Sequence, residues 1–248
     1  MDRLDPIPNT SNLPRKRVRP VFSLVWKPVF TVTKVIPIIS EPANTESWKS
    51  LLATADAVID TTGGTETSEL SPAILKAISE AAVAVRPPNS PKLTFIQTSG
   101  TWVHGDNRDE TVTDTTPAKV GNPLVAWRAE HEQVVIASQT LNGIIIRPSL
   151  LYGRSASILG LLFKQAYDGE IEWYGTPGGR YALIHQDDLA DLYVKVVERA
   201  SLIRGLIIDA SNDITESVDD ILATLVKVSG AKGYKYVAPA NREFFHII

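Results

Sequence analysis

The 248-residue sequence has no cysteine. Disulfides, thiolate zinc sites and a cysteine nucleophile are thereby excluded. Its four histidines, His104, His131, His185 and His246, never fall four residues apart, so no helix face can present a pair of them to a metal, and no metal site is expected. Glycine is absent before Gly63, which leaves the first 62 residues without a glycine-rich phosphate-binding turn. Neither charge sign dominates: 25 Lys and Arg stand against 28 Asp and Glu, a net charge of −3 that offers no broad basic surface to nucleic acid. An uninterrupted apolar run is lacking too. Residues 21–39, VFSLVWKPVFTVTKVIPII, follow the basic cluster PRKRVR at 14–19 and superficially suggest an anchor. Lys27 and Lys34 would each cost about 2.5 to 3.5 kcal/mol at a bilayer centre, and Pro28 and Pro37 break a helix. No membrane span is predicted, and a cytoplasmic location is expected. The basic cluster reads as a solvated run, with a nuclear-localisation patch as its other reading.

Six prolines, at 6, 8, 14, 20, 28 and 37, leave residues 1–40 room for one or two short strands and no ordinary helix. From residue 41 the pattern becomes regular. Apolar runs ADAVID (55–60), KLTFIQ (92–97), GIIIR (143–147) and GLIIDAS (205–211) read as strands. Between and after them lie helical periodicities at 71–85, 123–139, 155–169, 185–200 and 217–230. Strands apolar throughout and separated by amphipathic helices predict a parallel sheet covered on both faces, an α/β doubly wound architecture. The length suits one such domain, at 41–248, with a smaller C-terminal region from about residue 150.

Three strands end in residues suited to proximity rather than packing: DTTGG after the first, TSGTWVHG after the second and RPSLLYG after the third. In an open parallel sheet ligands bind outside the carboxyl ends of the strands. Glycines there let a backbone approach a ligand, and hydroxyls supply donors and acceptors. GTPGGRYALIH at 175–185 is a glycine-rich turn carrying Arg180, readable as a hold for an anionic or sugar group or as a plain turn.

DAVIDTTGG, TSGTWVHG, WRAEHEQVV, IIIRPSLLYG and ALIHQDDLADLYVKVVE, in that order over about residues 41–230, resemble the extended and atypical short-chain dehydrogenase/reductase superfamily, in its NAD-dependent epimerase/dehydratase-like branch. The resemblance implies a Rossmann-like domain, NAD or NADP as cofactor, a small-molecule substrate and homodimerisation through helices flanking the sheet. Carried over by position, Thr62, Gly63 and Gly64 match the strand end beside the adenine and ribose. Thr98 and Ser99 match the strand end facing nicotinamide and substrate, and Pro148 with Ser149 the loop bordering the nicotinamide ring. Tyr152 and Gly153 end that loop, while His185, Asp187 and Asp188 match a segment that shapes the substrate side and caps the next helix.

Two features depart from that pattern. The GxxGxxG loop and its βαβ unit are absent, which reads either as a lost nucleotide site or as a truncated N-terminal coding region. The family's Tyr and Lys, four residues apart, correspond to Leu124 and Arg128; Leu124 cannot transfer a proton, and Arg128 can still bond ribose hydroxyls. Gly100 stands where many members carry a catalytic Ser or Thr, flanked by Ser99 and Thr101. Ser99 or Thr101 would then bond the substrate oxygen, with Tyr152 as the tyrosine at a strand-end loop that could replace the acid. The reading is an NAD(P)-binding oxidoreductase acting on a small carbonyl or hydroxyl compound. Its alternatives are a catalytically inactive Rossmann-like regulatory module and a truncated product that no longer binds a dinucleotide.

Overall fold

Leu93–Phe95, Ile96 and Gln97 are all buried, as are Ile144–Arg147, so two strands in this chain must be covered on both sides. The computed structural model describes residues 21–25, 35–41, 44–64, 66–107, 110–118, 123–153 and 159–237. The basic cluster at 14–19 and residues 155–158 of the third expected helix lie outside the described residues. Two units are distinguished, Met1–Trp48 and Lys49–Ile248.

In the first unit β1 (Val21–Val25) and β2 (Val35–Ile39) pair in parallel, Val21 opposite Val35, in agreement with the one or two short strands expected there. In the second, β3 (Ala57–Asp60), β4 (Leu93–Thr98), β5 (Leu141–Pro148) and β9 (Ile207–Ala210) form a four-stranded parallel sheet in that order. The α/β class and the parallel Rossmann-like sheet are thus as the sequence indicates. Short satellite sheets join β6 (Leu150–Tyr152), β8 (Arg180–His185) and β10 (Thr215–Ser217), and β7 (Ile171–Tyr174) with β11 (Tyr234–Val237).

Register decides what each face sees, because paired residues on neighbouring strands share a face and alternate along the chain. Ile96, Ile144 and Ile146 face α4 (Gln186–Arg199), packing with Leu189, Val196 and Ala200. The other face carries Val58, Phe95, Gly143 and Ile145 in its middle and turns polar at the carboxyl end, with Asp60 beside Gln97 and Arg147 beside Asp209. α2 (Ala126–Ile136) lies on that face, with α1 (Thr67–Val85) beside it.

Gly143 explains how closely α2 approaches. A Cβ there would stand 2.1 Å from the Val135 carbonyl oxygen, so the C-terminal end of α2 rests on bare backbone. α1 begins at Thr67, four residues before the expected start at Ser71; Pro72 sits inside the helix and forgoes one backbone hydrogen bond without ending it. α2 begins at Ala126, since Pro123–Val125 form a turn. Arg86 closes α1 by donating to the Leu52, Ala55 and Pro91 carbonyls at 2.6, 2.9 and 2.8 Å, tying the entry to β3 to the entry to β4. In the C-terminal region α3 (Gly160–Asp168) and α5 (Val218–Ser229) enclose a second core around Ile171 and Leu222.

Candidate functional site

Thr98 is the last residue of β4, and its alternation turns the side chain toward α4. There its Oγ1 shares a 2.5 Å hydrogen bond with the Tyr193 hydroxyl. Burial raises the Tyr193 pKa, which keeps the phenol protonated. The carbonyl of Thr98 accepts from Arg128 Nη1 at 3.4 Å. Arg128 stands in the first turn of α2 with its guanidinium carbon 4.8 Å from the Trp127 ring centroid, within cation–π range. Burial lowers the Arg128 pKa, opposed by the negative charges of Glu132 and Asp60.

Asp60 ends β3 and accepts the Thr62 amide at 2.9 Å; Gly63 and Gly64 continue that loop toward α1. Ser99 donates its amide to the Ile146 carbonyl at 2.7 Å, and Ser149 donates its own to Ala210 at 2.9 Å. The hydroxyls of both serines are buried and have no partner among the described residues. Thr101 opens the 3-10 turn Thr101–His104, and Pro148 closes β5. Thr62, Thr98, Ser99, Arg128, Pro148 and Ser149 therefore all lie at the carboxyl ends of β3, β4 and β5 or one turn above them.

Tyr152 ends β6. Its ring meets His185 edge-on, centroids 5.1 Å apart at 71°, across the β6 and β8 pair. Gly153 follows with φ +92°, and a Cβ on it would come within 2.2 Å of His185 Nε2. His185 caps α4: its Nδ1 accepts from the Asp187 amide at 3.2 Å, which assigns the neutral-ring proton to Nε2. The cap is thus the histidine, and Asp187 and Asp188 occupy the first turn behind it. Arg180 is engaged by the protein, donating Nε to Thr215 Oγ1 at 2.8 Å and Nη2 to the Thr215 carbonyl.

The sequence gives no direct sign of a buried ionic chain beneath α2. Glu132, 1% exposed in its side chain, accepts from Arg147 Nε and from Nη2, the latter at 2.6 Å. Arg147 Nη1 lies 3.5 Å from Asp209 Oδ1, a charge contact in which that oxygen has no hydrogen bond. Asp209 Oδ2 meets His104 Nε2 at 2.7 Å. Burial works to lower the Arg147 pKa, but the bonds and charge of Glu132, helped by Asp209, raise it. Also unforeseen is His131, whose Nε2 is buried without a partner among the described residues; burial lowers its pKa and keeps it neutral. The only hint is positional: polar residues ending apolar runs, and Glu132 and Arg147 inside two of the quoted motifs. No group of His, Asp and Glu among the described residues could hold a metal ion.

The family model for the NAD dependent epimerase/dehydratase family matches residues 42–207. None of the curated proteins matches the sequence. Among solved structures, a dTDP-glucose 4,6-dehydratase from Bacillus anthracis in complex with NAD superposes with a TM-score of 0.72 at 16% identity, covering 85% of this chain and 70% of that one. DesIV of Streptomyces venezuelae, a dTDP-glucose 4,6-dehydratase, gives 0.69 at 17% identity, with 88% and 75% covered. A UDP-glucuronic acid 4-epimerase from Bacillus cereus in complex with NAD gives 0.67 at 20%, with 84% and 70% covered. These likenesses are likenesses of fold.

Proposed function

The chain belongs to the NAD dependent epimerase/dehydratase family, and from that premise we propose that it binds NAD or NADP across the carboxyl ends of β3, β4 and β5 and acts on a small hydroxyl or carbonyl compound. The observation that carries this reading is Arg128, a guanidinium bonded to the Thr98 carbonyl at the end of β4, where the strand ends also carry the Ser99 and Ser149 hydroxyls, buried and without a partner among the described residues. Hydroxyls and a cation gathered at strand ends suit the ribose and amide groups of a dinucleotide.

In this reading Arg128 holds ribose hydroxyls, Ser149 and Pro148 border the ring, and Ser99 or Thr101 bonds the substrate oxygen. Thr62, Gly63 and Gly64 line the adenine side. The bound dinucleotide supplies hydride acceptance and donation. Thr98, fixed by Tyr193, holds its hydroxyl in one orientation beside Ser99. Titration of the chain with NADH and with NADPH, read by quenching of tryptophan emission, tests the reading; saturable micromolar binding supports it, and a folded chain that binds neither overturns it.

A second reading, a dinucleotide-binding module without turnover, is favoured by two observations. Leu124 stands at the position of the family's acid, and Tyr152 is turned to His185. Binding without hydride transfer to any carbonyl compound in a screen would select it.

We further propose a homodimer in the cytoplasm, assembled through α1 and α2. These helices form a groove of about 570 Å³ lined by Ser68, Leu75, Lys76, Trp127 and Val134, and Val83 and Val134 are exposed at 68% and 58%. No helix among the described residues is long and apolar enough to cross a membrane.

A further inference from the structure

We infer that the buried chain Glu132–Arg147–Asp209–His104 is a positioning device for the cleft, and that His104 is the residue through which it holds the turn 101–104. Each member sits next to a part of the candidate site. Glu132 is one helical turn beyond Arg128 on α2, Arg147 immediately precedes Pro148 and Ser149, and His104 ends the turn that begins at Thr101. Asp209, from β9, joins the last two. Four segments, from α2, β5, β9 and the turn 101–104, are thereby tied to one another at the carboxyl end of the sheet by the Arg147 ion pairs and the His104–Asp209 hydrogen bond, at 2.6 to 3.5 Å.

Stability does not account for this arrangement. Removing charges from water offsets most of what their attraction contributes, and well-packed apolar residues of similar volume usually serve a core as well or better. Ionic and hydrogen-bonded contacts differ from apolar ones in direction: they admit one geometry, where apolar side chains slide and repack. The turn 101–104 needs such a tie. It is a single 3-10 turn, flanked by the backbone bonds from Val103 to Gly100 and from Gly105 to Trp102, at 3.4 and 3.1 Å. Val103 and His104 are both 3% exposed, and His104 is the polar anchor of the turn, with Asp209 as its partner.

The inference rests on the dinucleotide reading for what the turn serves, and on the hydrogen-bonded and ionic contacts alone for what holds it. The experiment separates the two. Amide hydrogen exchange is measured on the full chain and on three variants: His104→Phe, His104→Gln, and the double variant His104→Phe with Asp209→Leu, which leaves no carboxylate stranded if the single change fails to fold. Peptides spanning 99–105 are expected to exchange at least about tenfold faster in the Phe variants, with 141–146 as protected as in the unaltered chain, and Gln, whose amide reaches where Nε2 stands, is expected to restore protection. Trp102 emission should shift in step. NADH affinity is expected to weaken about tenfold in the Phe variants and to return with Gln. Unchanged exchange at 99–105 overturns the positioning role, whatever the chain binds. Altered exchange in a chain that never binds NADH or NADPH keeps the positioning role and sinks the dinucleotide reading instead.

Discussion

In the proposed site a guanidinium takes the place that the family resemblance gives to a lysine, and this changes what the site can do with charge. Arg128 has five donors in a fixed plane and spends one on the Thr98 carbonyl, so it presents directional bonds where an ammonium presents a rotating point charge. Its replacement by Ala should remove a charged hydrogen bond of about 1.5 to 3 kcal/mol, weakening NADH binding about tenfold or more in a fluorescence titration. Unchanged affinity would remove Arg128 from the site. His131 makes a separate prediction about pH. Its pKa is lowered in the fold from an ordinary value of 6.5, chiefly by burial. The unfolded chain therefore takes up the proton more readily, and the stability that neutral His131 contributes is complete above about pH 6.5 and declines as the solution is acidified. Urea midpoints measured from pH 7.5 to 5 should fall less steeply in a His131→Gln variant. Neither residue was equally legible in the sequence. Arg128 is found by its offset from Glu132 within a motif, whereas His131 looks like any histidine on a helix until Asp60 and Trp127 are seen against it.

At the scale of elements, the strands buried on both faces were readable because nothing interrupts their apolar runs, and β4 and β5 fall close to where KLTFIQ and GIIIR place them. The satellite strands β6, β7, β10 and β11 are three or four residues long, too short to display an alternation, and owe their existence to partners distant in sequence, as Tyr152 does to His185. The ionic chain was hidden for the same reason: Glu132 and Arg147 are 15 residues apart, and His104 and Asp209 are 105 apart. Arg147→Met would leave Glu132 buried without a counter-charge, and should cost about 3 to 5 kcal/mol in chemical denaturation. Glu132→Gln with Arg147→Met removes both charges and should recover a large part of that loss. Gly153→Ala should cost about 2 kcal/mol or more, since its φ of +92° is strained for alanine and the new methyl meets the His185 ring. A midpoint within error of the unaltered chain would show that His185 moves aside freely.

For the whole molecule the sequence identified an α/β class and a family but could not say which surfaces remain uncovered. Val83 stands on the face of α1 opposite Ile74, and it and Val134 of α2 are apolar and exposed in the fold. If a second copy covers them, Val134→Glu should convert the dimer to a monomer in sedimentation velocity while leaving the circular dichroism unchanged. A dimer that persists would move the interface to another face. The contact between Gly143 and Val135 has a mechanical meaning beyond close packing. Val135 touches the sheet near the start of β5, and Arg128 lies seven residues back along the same helix, about 10 Å away. α2 is thus a lever pivoting on backbone, with its other end held at the carboxyl end of β4. A tilt of about 6° at the pivot moves Arg128 by about 1 Å, a displacement that in enzyme sites costs about a hundredfold in rate. A single methyl at position 143, remote from any ligand, acts on the far end of that lever.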